Sequence, residues 1–585
     1  MTVTQRDPRT GLAANGAHVL VESLVRHGVD TIFGFPGDTS IALYDALGAR
    51  SGDIRHVLAR DERHAGFMAD AYSRTTRRLG ICEASSGAGA VYLASGLAEA
   101  LTSSIPLLAI TTDNSTRSAG TAPISEMDQE ALFAACTIWH RVVSDIADIP
   151  DLVEQAVRAA TTGRPGPVAL IIPEDVLEGT AATVSTSAVT FAVVPSARPA
   201  ASSAAVQSVA KQIARSRRPV IVCGGGVHLS GAWSQLRALA ERAAVPVATS
   251  IHGKGALDED NPLALGVVGG NGARPYANAW LDESDCVLFV GTRANATDTL
   301  SFTTPPRDGS VYVAHIEIDL DRAGRNYPLS TALVGDVAAV LDQLVGVIPA
   351  AAERVRAERM AELSAARARW RRDLDENATA LAAGVLHPGP VVRTLADVFG
   401  RDTWVTADAG TPTPYVAVFW QAPGDGWRVV IPRGHGPMGF AVPASIGIAL
   451  AHPGERVLCL TTENSLAMSS AELETALRLE LPITYVVFDN TALSWIKMIQ
   501  HLYAGGRYFA VDPGPIDPVL VGRGMGVPGT RARTVAELAA LAEKAAAAPG
   551  PSLIHVAVPE HMQLAPPVAS WQAALSGKQS SRPIH

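Results

Sequence analysis

Short apolar bursts alternating with amphipathic stretches run through almost the whole chain, and this alternation constrains the fold more than any other feature. TIFGF (31–35), HVLA (56–59), GICEAS (80–85), LLAITT (107–112) and VALIIP (168–173) are each long enough for one buried strand, while stretches between them, such as AGFMADAYSR (65–74), have helical spacing. A strand–helix–strand rhythm of this kind builds parallel sheets with helices on their faces. At 585 residues the chain exceeds what one hydrophobic core organises, so several such sheets are expected. Three fit.

The predicted fold class is α/β, with three doubly wound parallel-sheet domains. The first covers 1–185 and ends in an Ala/Ser/Thr/Pro-rich stretch without helical period, which makes 186–203 a linker. A second α/β unit, 204–350, has strands at PVIVCGGG, VPVATS, CVLFVGT and VYVAHIEID. Its glycine turns would suit a nucleotide, but there is no full GxGxxG. Residues 351–384 alternate acidic and basic side chains and read as a solvated helical connector; 385–558 is a third strand–helix domain, and 559–585 a polar tail. Within the third domain, CLTTENSL (459–466) reads as a strand entering a helix, and LPITYVVFDN (481–490) as a second strand.

Composition excludes several classes of function. A net charge of −9 with 18% charged residues argues against a nucleic-acid partner, and no apolar stretch reaches the roughly 20 residues of a membrane span. The N-terminal residues lack a charged-then-apolar signal pattern, and the five cysteines are scattered in apolar runs without a CxxC pair. Buried thiols and a cytoplasmic location are expected.

Taken alone, Glu62 is a carboxylate in the first turn of a helix, favoured there by the helix dipole. Met438 in GHGPMGF reads as core packing, and Asp38 in FGFPGD as a turn residue capping the helix that begins near Ser40. Together, however, IFGFPGDTSIALYDAL (32–47), HVLARDERHAGFMADAYSR (56–74) and RGHGPMGFAVPASIGIALA (433–451) resemble the thiamine diphosphate-dependent decarboxylases and carboligases, most closely the acetolactate synthase branch. The likeness extends through the middle of the chain to YAGGRY (503–508).

The resemblance implies pyrimidine-binding, central Rossmann-like and diphosphate-binding domains, in that order. It also implies a homodimer or homotetramer with sites between subunits, and a small 2-keto acid donor with a carbonyl acceptor as substrates. Glu62 matches the glutamate that shares a proton with N1′ of the aminopyrimidine, so that the cofactor's own amino nitrogen can take the thiazolium C2 proton. Met438 matches the apolar wedge that bends the cofactor, Gly436 lines the pyrimidine, and Gly410, Asn464 and Ser465 fall at the diphosphate. Asp38 matches an aspartate that moves protons in the pyruvate decarboxylases, although their paired histidines are missing from TDNSTRSAGTAPIS (112–125). The capping reading stands beside it.

Departures from the family pattern bear on metal and substrate. Where the family has Gly-Asp-Gly and Asn-Asn, this chain has Thr462-Glu463-Asn464 and Asp489-Asn490. Glu463, Asn490 and the Ala492 carbonyl could still supply the hard oxygens that Mg2+ requires. Glutamate is longer by a methylene, and a β-branched Thr462 would resist the dihedrals a glycine permits. Ile124, Ser125 and Ile138 replace the phenylalanine, glutamine and lysine of acetolactate synthases, and Ile499 replaces a tryptophan; Tyr92, Ile124, Ser125, Trp495 and Ile499 form the expected substrate pocket. The middle domain, through GVVGGNGA and GTRA with Arg293, permits FAD. The expected activity is decarboxylation of a 2-keto acid, pyruvate by preference, with transfer of the acyl carbanion equivalent to a second carbonyl. The alternatives are simple decarboxylation to an aldehyde, which Asp38 favours, and a non-catalytic structural or regulatory paralogue.

Overall fold

The alternation resolves into three six-stranded sheets, all of them parallel, in the computed structural model, which describes residues 15–180, 192–376, 381–564, 566–577 and 582. Parts of four sequence-based assignments lie outside the described residues: 1–14 and 181–185 of the first domain, 186–191 of the linker, 377–380 of the connector, and 565, 578–581 and 583–585 of the tail. By contact the chain forms two compact units. One comprises residues up to Ala197 with Pro432–Pro453 and Glu474–Leu479; the other comprises Arg198–Ile431, Gly454–Leu473 and Glu480 onward.

In the first unit, β1 (Thr31–Phe35), β2 (Arg55–Leu58), β3 (Gly80–Ala84), β4 (Leu107–Asp113), β5 (Trp139–Val142) and β6 (Pro167–Pro173) take the order β2-β1-β3-β4-β6-β5. Strand β6 is buried from end to end, as expected of a parallel strand covered on both faces. The direction of winding reverses between β1 and β3, so the loops leaving their carboxyl ends open a ligand crevice there. Helix Glu62–Thr76 packs closely on two others through glycines. A Cβ on Gly66 would lie 3.0 Å from the Gly96 Cα on helix Ala88–Ser103, and one on Gly447, in helix Ala441–Ala451, would run into the Met68 carbonyl.

The second unit holds two sheets. One has β7 (Pro219–Cys223), β8 (Val247–Thr249), β9 (Ala264–Val267), β10 (Cys286–Val290), β11 (Tyr312–Glu317) and β12 (Thr331–Val334) in the order β12-β11-β10-β7-β8-β9. The other has β13 (Trp404–Ala407), β14 (Val429–Val430), β15 (Val457–Thr462), β16 (Ile483–Asp489), β17 (Gly529–Ala532) and β18 (Ser552–Ala557) in the order β14-β13-β15-β16-β18-β17. A buried charge cluster ties them. Lys254 and Arg274 both donate to Glu259 at 2.5 Å, and each also reaches a carbonyl of helix Pro412–Phe419, at Ala417 and Val418.

Three expectations change here. The connector helix Glu353–Glu376 is more than a solvated spacer: Arg359 on it is buried and donates to the carbonyls of Ser216, Arg217, Ala243 and Ala244, and Leu363 joins the core. Much of the tail is folded, because helix Ala569–Leu575 buries Trp571 against Trp495, ring centroids 4.3 Å apart. Asp38 caps nothing: it is exposed, and Ser40 Oγ instead accepts from the Gly37 N–H at 2.9 Å. All five cysteines are buried and free, as anticipated.

Candidate active site

Glu62 opens its helix because Asp61 caps it, accepting the Arg63 N–H at 2.8 Å. Its carboxyl rests on the first turn of helix Ala88–Ser103, where Gly89 makes room: a Cβ there would be 3.0 Å from Glu62 Oε1 and from Ser85 Oγ. Burial, with the nearby charges of Asp61 and Glu83, raises the Glu62 pKa. Glu83 was not anticipated from sequence. It is fully buried on β3, its pKa raised by burial, and it accepts from Tyr44 Oη and contacts His56 Nε2 at 3.2 Å. The one signal for it was an acid inside the apolar run GICEAS.

Around the β1/β3 crevice, hydroxyls join the loops. Thr39 Oγ1 contacts Ser86 Oγ at 3.1 Å and Thr112 Oγ1 at 2.6 Å, and Ser86 Oγ contacts Ser125 Oγ at 2.8 Å. Ser125 adopts φ 68° beside Gly87, where a Cβ would meet the Ser125 Cβ at 2.6 Å. Its neighbour Ile124 is 88% exposed, and Tyr92, one turn into helix Ala88–Ser103, is 54% exposed. Ser125 thus sits against Gly87, immediately before the helix that carries Tyr92. Ile138 packs on the core beside Gly166. Gly436 is left-handed with φ 76° and open space at its Cβ position, and Met438 is half-buried.

In the second unit the winding reverses between β13 and β15. Gly410, φ 114°, follows β13, and nothing lies within 4 Å of a Cβ there. Thr462 ends β15 with an extended φ of −112°, and its hydroxyl accepts the Ser465 N–H at 3.2 Å. The replaced glycines thus impose no forbidden dihedral at Thr462 or Asn464. The left-handed residue falls instead at Thr491, φ 55°, between Asn490 and Ala492. Asn464 Nδ2 donates to Glu463 Oε1 at 2.8 Å and reaches the Ala492 carbonyl at 3.4 Å, so the three oxygens expected to ligate a metal, on Glu463, Asn490 and Ala492, come from the ends of β15 and β16.

Two buried atoms here, Glu463 Oε2 and Ser465 Oγ, have no hydrogen-bond partner among the described residues, and burial together with Asp489 pushes the Glu463 pKa up to about 8. A buried acid that resists ionisation and keeps an oxygen unpaired suits a cation, which would supply the missing opposite charge. An all-oxygen donor set matches magnesium. Thr411 Oγ1 accepts from Asn490 Nδ2 at 3.3 Å and lies 3.1 Å from Nε2 of the buried His561, a contact that sequence did not suggest. Trp495 and Ile499 cluster with Trp571 and Met562.

For FAD the middle-domain glycines give no support. Most of those that suggested a nucleotide are closed by protein: a Cβ on Gly226 would be 2.7 Å from the Gly291 Cα, one on Gly272 2.6 Å from the Ala417 Cβ, and Gly269 is pressed against Thr297. Trp427 lies over Gly225 and stacks on His228 at 5.0 Å.

Comparison with known proteins agrees with this layout. Residues 14–132, 206–344 and 408–556 match the N-terminal TPP binding, central and C-terminal TPP binding domains of thiamine pyrophosphate enzymes. A probable acetolactate synthase large subunit of Methanocaldococcus jannaschii is 32% identical over 85% of this chain and 84% of its own length. This chain belongs to the acetolactate synthase large-subunit family. Acetolactate synthase isozyme 1 large subunit of Escherichia coli is 31% identical over 94% of the chain and 95% of its own length, and the large subunit of Parasynechococcus marenigrum 33% over 89% and 85%. The protein is accordingly a thiamine diphosphate-dependent enzyme of the carboligase type, and its three parallel sheets are the three domains of that family. No helix among the described residues is long and apolar enough to cross a membrane.

Proposed function

We propose that this enzyme decarboxylates pyruvate, or a close 2-keto acid, and joins the two-carbon unit to a second carbonyl compound. Its relatives are named acetolactate synthases, which supports that pairing of donor and acceptor class. The observation that carries the reading is the Glu62 carboxyl, half-buried at a capped helix start, with space kept for it by Gly89 and its pKa raised. Thiamine diphosphate, when bound, supplies the nucleophilic carbon that adds to the keto group and the electron sink for loss of carbon dioxide.

Glu62 holds a proton at N1′ of the aminopyrimidine, and the burial that raises its pKa favours the protonated carboxyl this requires. Gly436 and Met438 orient the ring. Glu463, Asn490 and the Ala492 carbonyl hold Mg2+, with Gly410, Asn464 and Ser465 at the diphosphate. Tyr92, Ile124, Ser125, Trp495 and Ile499 surround the substrates, in a cytoplasmic homodimer or homotetramer whose sites are shared between subunits. The domain limits 1–185, 204–350 and 385–558 are kept as proposed boundaries, and no flavin is assigned.

Asp38, exposed in the loop that follows β1, favours the second reading, decarboxylation ending in protonation, since it matches the aspartate that the pyruvate decarboxylases use in proton transfer. One experiment addresses all of these readings. The purified protein should carry thiamine diphosphate by mass spectrometry and convert pyruvate plus a carbonyl acceptor to a product with a new carbon–carbon bond. Glu62→Gln should retain the cofactor and lose about a hundredfold or more in turnover. Near wild-type donor decarboxylation in that variant removes the Glu62 role; aldehyde as the sole product selects the second reading; a protein that never binds the cofactor is the non-catalytic paralogue.

A further inference from the structure

Helices Glu62–Thr76 and Ala88–Ser103 bury three charged side chains where they cross: Asp70, Arg74 and Glu99, each 0–1% exposed. Arg74 donates to Asp70 Oδ1 at 2.5 Å and Oδ2 at 3.1 Å, and to Glu99 Oε1 at 3.1 Å. One guanidinium cannot neutralise two carboxylates. An uncompensated buried charge is costly, so its remaining partners matter.

Those partners are the backbone of a distant loop. Glu99 Oε2 accepts the N–H groups of His435 at 2.7 Å and Gly436 at 3.0 Å, and Oε1 accepts the Gly434 N–H at 3.2 Å and Ser103 Oγ at 2.7 Å. Three successive amides converging on one anion form a nest, and charge-assisted bonds of this kind are about twice as strong as neutral ones. The approach depends on Gly434, where a Cβ would sit 2.5 Å from Thr102 Oγ1 and 2.9 Å from the Ser103 nitrogen. At the loop's far end Phe440 packs on Phe67, 5.2 Å between centroids, with the Arg74 guanidinium 5.9 Å from the Phe440 ring. Between these anchors lie Gly436, φ 76°, Pro437, whose φ is fixed by its ring, and Met438.

We infer that Glu99, backed by Arg74 and Asp70, is a positioning residue that sets the peptide planes leading into Gly436–Met438 and thereby the presentation of the aminopyrimidine ring. The inference rests on the reading of Gly436 and Met438 as the pyrimidine-holding loop. Glu99 touches neither cofactor nor substrate; it acts through the loop. Its role differs from simple support because the amides it orders are those immediately before the residues that meet the ring. Glutamine at this position would keep the shape but turn an NH2 group toward amides that need an acceptor.

The test uses Glu99→Gln in the full-length protein. At saturating thiamine diphosphate and Mg2+, the exchange of the cofactor's C2 proton for deuterium, followed by acid quench and NMR, should slow at least tenfold. Cofactor affinity by calorimetry and the KM for pyruvate should stay within about threefold, since other contacts dominate them. Without cofactor, backbone amides 434–436 should lose hydrogen-exchange protection relative to wild type. C2 exchange within twofold of wild type, whatever happens to the amides, overturns the inference and leaves Glu99 a packing residue. Wild type that binds no thiamine diphosphate overturns both this inference and the reading beneath it, whereas cofactor binding with normal exchange in the variant overturns this one alone. Should Glu99→Gln fail to fold, Ser103→Ala removes one donor while keeping the charge: a two- to fivefold slower C2 exchange at unchanged cofactor affinity supports the inference, and an unchanged rate overturns it.

Discussion

Glu463 is the residue at which a single substitution tests the proposed metal site. Its backbone begins a helix directly after an extended Thr462, so the length of its side chain alone decides how far the carboxylate reaches. Thr491 holds a left-handed φ of 55° beside Asn490 and Ala492, a conformation that costs a β-branched residue on the order of 1–2 kcal/mol. Such strain is found where a loop is held for a purpose. Glu463→Ala should weaken thiamine diphosphate binding at least tenfold in the presence of Mg2+, and EDTA should weaken wild type similarly. Glu463→Asp should fall between wild type and the alanine variant, because the shorter acid starts from the same helix position. Calorimetric titration with and without Mg2+ checks both. Binding indifferent to metal in all three proteins would strip the site of its assigned ion.

Helix Glu62–Thr76 shows how an element carries a site residue. Asp61 starts it, and Gly66 and Gly447 let two neighbours approach its backbone, which fixes the direction in which Glu62 leaves the first turn. Overpacking at such a crossing typically costs 1–3 kcal/mol. Gly447→Ala places a methyl against the Met68 carbonyl in a helix whose other residues are nearly all buried, so local relief is small. The variant should be destabilised by about 1–3 kcal/mol in urea unfolding, and its turnover should fall more than its cofactor affinity as Glu62 shifts. Unchanged stability would show that the helices slide apart freely.

Across the whole molecule, buried imidazoles predict acid lability. Burial lowers the pKa of His228, His315 and His561 to about 4, against about 6.5 in an unfolded chain. A depressed folded pKa gives stability that is present above about 6.5 and lost as pH falls toward about 4. His228 shows why. Its Nδ1 accepts from Trp233 Nε1 at 2.9 Å and its Nε2 faces the Lys254 carbonyl at 3.2 Å, so a second proton would break the Trp233 bond. The urea midpoint should decline between pH 6.5 and 4.5, and His228→Gln should decline less steeply over the same interval. Equal slopes would place the acid sensitivity elsewhere.

The features legible in the chain are those written into neighbouring residues. Apolar runs specified β15, β16 and the other strands, Glu62 in the stretch after HVLA marked the first turn of a helix, and the three separated motifs specified the family. Each depends on spacing within a few residues or on motif identity. Hidden from such a reading were Glu83, Glu99 and His561, whose burial depends on what packs over them, and the exposure of Asp38 ahead of a helix that no side chain caps. The bond from Gly436 to Glu99 spans 337 residues, and no local period announces it. The glycines of the middle domain looked like a nucleotide turn because a glycine reads the same whether a ligand or another backbone approaches it; only the packing of Gly226 on Gly291 and of Gly272 on Ala417 decided between them. Sequence determined the elements and the reaction class, since periodicity and motifs are local; tertiary structure decided which charges are buried and what each one holds, since burial belongs to the packed whole.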